Sequence, residues 1–157
     1  MADKSKLGYE FPSQSLDVEK GKIAEFAMAV AQKDSKKEIK PIYADLSAAK
    51  KAGYPGIVIP PTFPISLILQ IGEGLMEAAN TLGINMGRLL HGEEEYEYFS
   101  SVCAGDVITG QTKVVNMYDK EKKDKPGKFM EFTVLETEIR NQRGELVIKA
   151  RTTLVER

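Results

Sequence analysis

The chain of 157 residues contains no tryptophan, one histidine and one cysteine, and each shortage closes off a class of protein. A lone Cys103 cannot form an intramolecular disulfide, so nothing points to an oxidising compartment; the chain reads as cytoplasmic and Cys103 as a small buried residue. No apolar run approaches the roughly 20 residues needed to cross a bilayer, and residues 1–6 are charged with no apolar stretch behind them. A soluble protein without a membrane role is expected. Neither sign of charge dominates, since 22 Lys and Arg stand against 23 Asp and Glu for a formal net charge of −1. With no long basic block there is no expected nucleic-acid surface, which leaves a small molecule or another protein as the ligand. The single imidazole, His91, matters because acid–base chemistry near neutral pH usually recruits histidine.

The chain length suits one domain over residues 1–157, large enough to bury a core without staples. Gly8-Tyr9-Glu10-Phe11-Pro12 predicts a short strand. From about Asp17 a helix follows, with Ile23, Phe26, Ala27 and Val30 at i, i+3, i+4 and i+7. A second short helix is expected from Leu46 to Ala52, stopped by Gly53. Beyond Pro64 the sequence is apolar nearly all round through Ile65, Leu67, Ile68, Ile71 and Met76, which predicts one long buried helix with proline in its first turn. Gly72 and Gly74 inside it cost up to about 1 kcal/mol each against alanine, and a close approach of another backbone is the expected compensation.

After residue 88 the hydrophobic period changes from 3.6 to 2, and strands are predicted at 89–99, 107–118, 129–140 and 145–155. A polar loop at 119–128 and the turn Asn141-Gln142-Arg143-Gly144 separate the last three. The expected architecture is α+β: an antiparallel meander wrapped around one long helix.

Three ordered segments carry a resemblance. Pro41-Ile42-Tyr43-Ala44-Asp45 runs on through Ala52-Gly53-Tyr54 to Ile59-Pro60-Pro61-Thr62-Phe63; Leu90-His91-Gly92-Glu93 precedes Tyr96, Tyr98 and Ala104-Gly105-Asp106; and Glu136-Thr137-Glu138-Ile139-Arg140 leads into Asn141-Gln142-Arg143-Gly144-Glu145. Together they resemble the MaoC-like hot-dog proteins, nearest to the amino-terminal-type dehydratase domain. The resemblance implies a hot-dog fold paired as a double hot-dog dimer, either a homodimer or a heterodimer with a catalytic MaoC-like subunit. It also implies addition of water to trans-2-enoyl thioesters, or its removal from (3R)-hydroxyacyl thioesters, as in fatty-acid metabolism. The acyl group is carried on coenzyme A or acyl carrier protein, with no metal or redox cofactor.

The active branch of that family reads Asp-x-Asn-Pro-x-His-x-Asp, its first Asp and its His sharing one catalytic water. Aligned on Pro41, this chain reads Glu38-Ile39-Lys40-Pro41-Ile42-Tyr43-Ala44-Asp45. Glu38 keeps a carboxylate in register, whereas Tyr43 replaces the imidazole. A phenol with an ordinary pKa near 10 is a poor base at pH 7 but can donate, and otherwise Tyr43 packs at the loop base. Asp34 is a second candidate acid. Pro61 stands where the active branch uses a glycine N–H for its oxyanion hole, which leaves Thr62 and Phe63 as backbone donors. His91 either borders the acyl channel as a hydrogen-bond donor or fixes the turn into its strand, and Glu93 is the glutamate expected to face inward.

In the family's two-subunit dehydratases, the subunit resembling this chain shapes the acyl channel and its partner supplies Asp and His. The resemblance therefore implies a hydratase or dehydratase subunit that needs a histidine-bearing partner. A self-sufficient enoyl-CoA hydratase, an acyl-CoA thioesterase and a non-enzymatic acyl-thioester binding module remain as alternatives.

Overall fold

The structure is a computed structural model that describes residues 2–31, 39–71 and 74–157. It consists of strand β1 (Gln14–Asp17), helices α1 (Lys20–Ala31), α2 (Leu46–Lys51), α3 (Pro64–Ile68) and α4 (Gly74–Thr81), then strands β2 (Leu89–Tyr98), β3 (Val107–Glu121), β4 (Phe129–Arg140) and β5 (Leu146–Glu156). The strands form one antiparallel sheet in the order β1-β3-β4-β5-β2. The last three strands make the predicted meander. β2 does not join β3 as a meander would: it pairs with β5 at the far edge, so the segment after it must cross the sheet. That crossing is anchored by Val102, whose carbonyl accepts from the Ile59 N–H at 3.1 Å, and by an isolated bridge between Val58 and Cys103. Cys103 is buried, as its size and polarity suggest.

Local chemistry explains most boundaries. The Asp45 side chain accepts from the Ala48 N–H at 2.7 Å and caps α2, which ends before Gly53 at φ +91°. In the β4–β5 turn Gly144 adopts φ +78°, and the side chain of Asn141 accepts from the Arg143 and Glu145 N–H groups. The first strand is displaced from its expected position: Glu10 makes only an isolated bridge to Lys113, and continuous pairing begins at Gln14. In α1, Ile23 and Ala27 are buried, but Val30 at the far end is exposed.

The long helix is interrupted. α3 closes after Ile68, and α4 starts anew at Gly74, whose φ of +74° lies in the left-handed region that favours glycine. Nor is it buried all round, since Leu69 is 52% and Met76 61% exposed. What α3 buries is one stripe, Phe63, Leu67 and Ile71, against Ile108, Ile139 and Ile148 of the sheet. A second cluster joins Leu82 and Ile84 to Phe11, Val114, Leu135 and Leu154. The close approach expected at the helix glycines is not found at Gly74, where a Cβ would meet nothing within 4 Å, and Gly72 lies outside the described residues. A close approach occurs instead at Gly110 of β3, against the Ile71 side chain. A Cβ built there would lie 2.3 Å from Ile71 Cδ1.

Gly110→Ala is therefore expected to lower stability by about 1–3 kcal/mol through overpacking. The Ile71→Ala exchange alone should cost about 2–5 kcal/mol, and the double variant less than the sum of the two, because the smaller side chain at 71 accepts the new Cβ. Urea unfolding of the three variants measures the coupling; additive losses would show that the two residues do not share this space.

Candidate active site

Between the helices and the inner face of the sheet lies a cavity of about 230 Å³. Its roof is apolar, with Ile65, Ile68, Leu69 and Ile71 among its residues. Its floor carries Leu135 and Leu154 together with three threonines, Thr112, Thr137 and Thr152. The Thr112 and Thr137 hydroxyls lie 2.8 Å apart and hydrogen-bond to one another, so neither is left without a partner. An elongated apolar group suits such a space.

His91 also lines this cavity, and the reason is a β-bulge. Along β2 the register runs His91 to Leu154 and then Glu93 to Thr153, so Gly92 is the extra residue. Glycine is required there: a Cβ would sit 2.8 Å from Val155 Cγ2 and 3.1 Å from the Thr153 carbonyl oxygen. By inserting one residue, the bulge puts His91, Glu94, Tyr96 and Tyr98 opposite the inward-facing Leu154, Thr152, Ala150 and Ile148. The inward glutamate is thus Glu94, and Glu93 lies opposite Thr153 on the outer face, exposed. Plain alternation from His91 would have chosen Glu93.

His91 Nε2 lies 2.9 Å from Glu94 Oε2, with the imidazole about half exposed and the carboxylate 14% exposed. Glu94 Oε1 is buried without a hydrogen-bond partner among the described residues. A buried acceptor left open costs free energy, and such groups cluster where a protein has chemical work to do. The neighbouring Tyr96 phenol is pushed well above its ordinary value, by burial first and then by the Glu94 charge. It stays neutral at physiological pH.

The second group of candidate residues surrounds Pro61. Tyr43 ends a single turn, Pro41–Tyr43, and is partly buried against the core; burial first, and Tyr54 nearby, raise its phenol. Its phenol is held in the neutral form. Tyr98 donates its hydroxyl to the Pro61 carbonyl at 2.9 Å, and its phenol is pushed up to about 12 by burial and then by Tyr43. So where an oxyanion donor was sought, the chain presents a proline carbonyl already engaged. The donor expected at Phe63 is also spent, because its N–H donates to the Pro60 carbonyl at 2.9 Å. Phe63 is instead a core residue, edge-on to Phe26 with ring centroids 5.3 Å apart. Thr62 is exposed at the head of α3. Asp34 and Glu38 lie outside the described residues. No cluster of metal-ligating side chains occurs among the described residues.

The Glu94–His91 pair was missed in the sequence because a bulge is not a pattern of hydrophobicity. The available signal was Gly92 inside a strand, which often marks a bulge or a close backbone approach.

Comparisons with known proteins place this geometry. The UPF0336 protein of Thermobifida fusca is 36% identical over 149 residues, covering 95% of this chain and 88% of that protein. A UPF0336 protein of Saccharopolyspora erythraea is 32% identical over 156 residues, covering 99% and 91%. Among solved structures, the truncated HadBC (3R-hydroxyacyl-ACP dehydratase) complex from Mycobacterium tuberculosis matches with a TM-score of 0.77 at 21% identity, over 96% of each chain. The (R)-hydratase from A. caviae matches with a TM-score of 0.65 at 17% identity, over 98% of each chain. These likenesses identify the sheet and its helix as a hot-dog fold. With residues 5–150 matching the model of the FAS1-like dehydratase domain region, the chain belongs to that family of hot-dog dehydratase-like domains.

Proposed function

We propose that this chain is the channel-forming subunit of a MaoC-like hydratase or dehydratase. It receives the acyl part of an enoyl or (3R)-hydroxyacyl thioester, carried on coenzyme A or acyl carrier protein. A second subunit bearing an Asp–His pair moves the protons. The observation that carries this reading is the apolar cavity taken together with two residues of the family motif: Tyr43, a neutral phenol, stands where the active branch has its histidine, and Pro61 has no N–H to give. Such a site can hold an acyl chain far better than it can activate water. The heteromeric solved relatives lend support, since the HadBC complex and the ChsH1–ChsH2 complex each join two different chains.

The reaction divides accordingly. Hydration of a trans-2-enoyl thioester requires a base to take a proton from water as its oxygen attacks C3, and an acid to deliver a proton to C2. Both come from the partner. This chain supplies binding free energy along the acyl tail, about 0.8 kcal/mol for each buried methylene, and excludes water through the apolar walls of α3 and β4.

One specific observation favours a second reading, a self-sufficient hydratase. His91, which lines the cavity, forms an imidazole–carboxylate pair with Glu94, and Glu94 Oε1 has no hydrogen-bond partner among the described residues. There the imidazole would act as base and the carboxylate would orient it.

On the first reading, the purified chain alone hydrates crotonyl-CoA no faster than buffer, and turnover appears only on co-purification with a histidine-bearing MaoC-like subunit. His91→Ala in that pair should leave kcat within a few-fold, whereas on the second reading it abolishes turnover of the chain alone. Affinity of the chain for saturated acyl-CoA, measured by calorimetry, should rise about fourfold per methylene until the cavity is full. Thr137→Phe, which fills the cavity floor, should remove that dependence on length; an unchanged dependence would place the acyl chain elsewhere.

A further inference from the structure

The outer face of the sheet is a charge lattice. One row runs from Glu10 to Lys113, Glu136, Arg151 and Glu95, each residue the cross-strand neighbour of the next. The sign alternates at every step. A parallel row runs Glu138, Lys149, Glu97, alternating again. The contacts bear this out: Lys113 Nζ lies 2.9 Å from Glu10 Oε1, Arg151 Nε lies 2.9 Å from Glu136 Oε2, and Lys149 Nζ stands 3.5 Å from Glu136 Oε1 and 3.8 Å from Glu138 Oε1. Arg151 is held protonated chiefly by Glu136, with Glu95 and Glu97 adding to it from the other side.

Both rows end on β2, and they end on a negative charge. β2 is ten residues long, stands at the edge of the sheet, and pairs only with β5 among the described residues. The opposite edge, β1, has four residues. A long open edge is the place where another strand adds.

A second copy of this chain fits that edge badly. Two copies joined about a two-fold axis perpendicular to the sheet set outer residues against outer residues. Centred on Glu95, the pairing opposes Glu93 to Glu97 and Glu95 to itself; centred on Glu94 or Tyr96, it opposes Glu93 to Glu95 or Glu95 to Glu97. Like charges directly opposite across a strand pair are destabilising. The lattice calls for the opposite sign in the next column.

We propose that β2 docks a different chain, one whose own edge strand carries Lys or Arg in the rows of Glu95 and Glu97. This rests on the two-subunit reading above and specifies the chemistry of the partner. It also joins the two faces of β2: the outer glutamates select the partner, while on the inner face His91, paired with Glu94, lines the cavity beside the new joint.

The test is self-association of the full chain by sedimentation equilibrium at low and high NaCl, without substrate. Wild type should associate weakly at low salt and more tightly as salt screens the glutamates. The E93Q/E95Q/E97Q variant should associate at least about tenfold more tightly than wild type at low salt, and lose the salt dependence. Wild type mixed with E93K/E95K/E97K should give a mixed dimer tighter than either homodimer and weakened by salt. If the lysine variant fails to fold, which a thermal melt by circular dichroism reveals, the glutamine comparison decides. A wild-type homodimer at low salt as tight as that of the glutamine variant overturns the proposal, as does a folded mixed pair no tighter than wild type alone. Crotonyl-CoA hydration by the chain alone would instead overturn the two-subunit reading and leave these association constants untouched.

Discussion

The interaction on which the rest depends is the seating of the Phe63, Leu67 and Ile71 stripe on the inner face of the sheet. It brings Ile71 so close to β3 that only glycine fits at position 110. The contact fixes the depth at which α3 lies over the strands. Where the stripe is in contact, the interior is close-packed; where α3 and α4 diverge, the sheet floor turns to threonine and a cavity remains. Beyond this seating α4 starts anew at Gly74, whose left-handed backbone conformation a continuous helix would not contain.

From that seating the chemistry divides between two places. Near Pro61, Tyr98 donates to the proline carbonyl, and its phenol and that of Tyr43 are held neutral chiefly by burial. On β2, one inserted glycine gathers an imidazole and a buried carboxylate on the face toward the cavity. The same insertion sends three glutamates to the other face. One backbone irregularity therefore decides which charges meet the ligand space and which meet solvent or another chain.

Much of the fold was legible. The change of period near residue 88 marked the strands, and β4 was delimited to the residue because Pro126-Gly127 and Asn141 to Gly144 carry unambiguous turn chemistry. The helix at Leu46 and its stop at Gly53 were equally plain. Less could be read where tertiary contact overrides local preference. The helix after Pro64 looked continuous because glycine in a helical pattern costs only about 1 kcal/mol and does not announce a break. β2 looked like the first strand of a meander because sequence order says nothing of which edge a strand joins. Of the site residues, His91 was found by its rarity and Tyr43 by register; Glu94 was not found, because choosing it over Glu93 requires the bulge.

The sequence by itself determined the period of each element, the turns, the lack of an imidazole at Tyr43 and of an N–H at Pro61, because these are properties of residue types and short-range sterics. Tertiary structure alone decided that β2 lies beside β5, that Ile71 meets Gly110, that Glu94 turns inward and that charges alternate across the outer face. Those facts arise from contacts between residues tens of positions apart, where the register of one strand against another sets what each side chain touches.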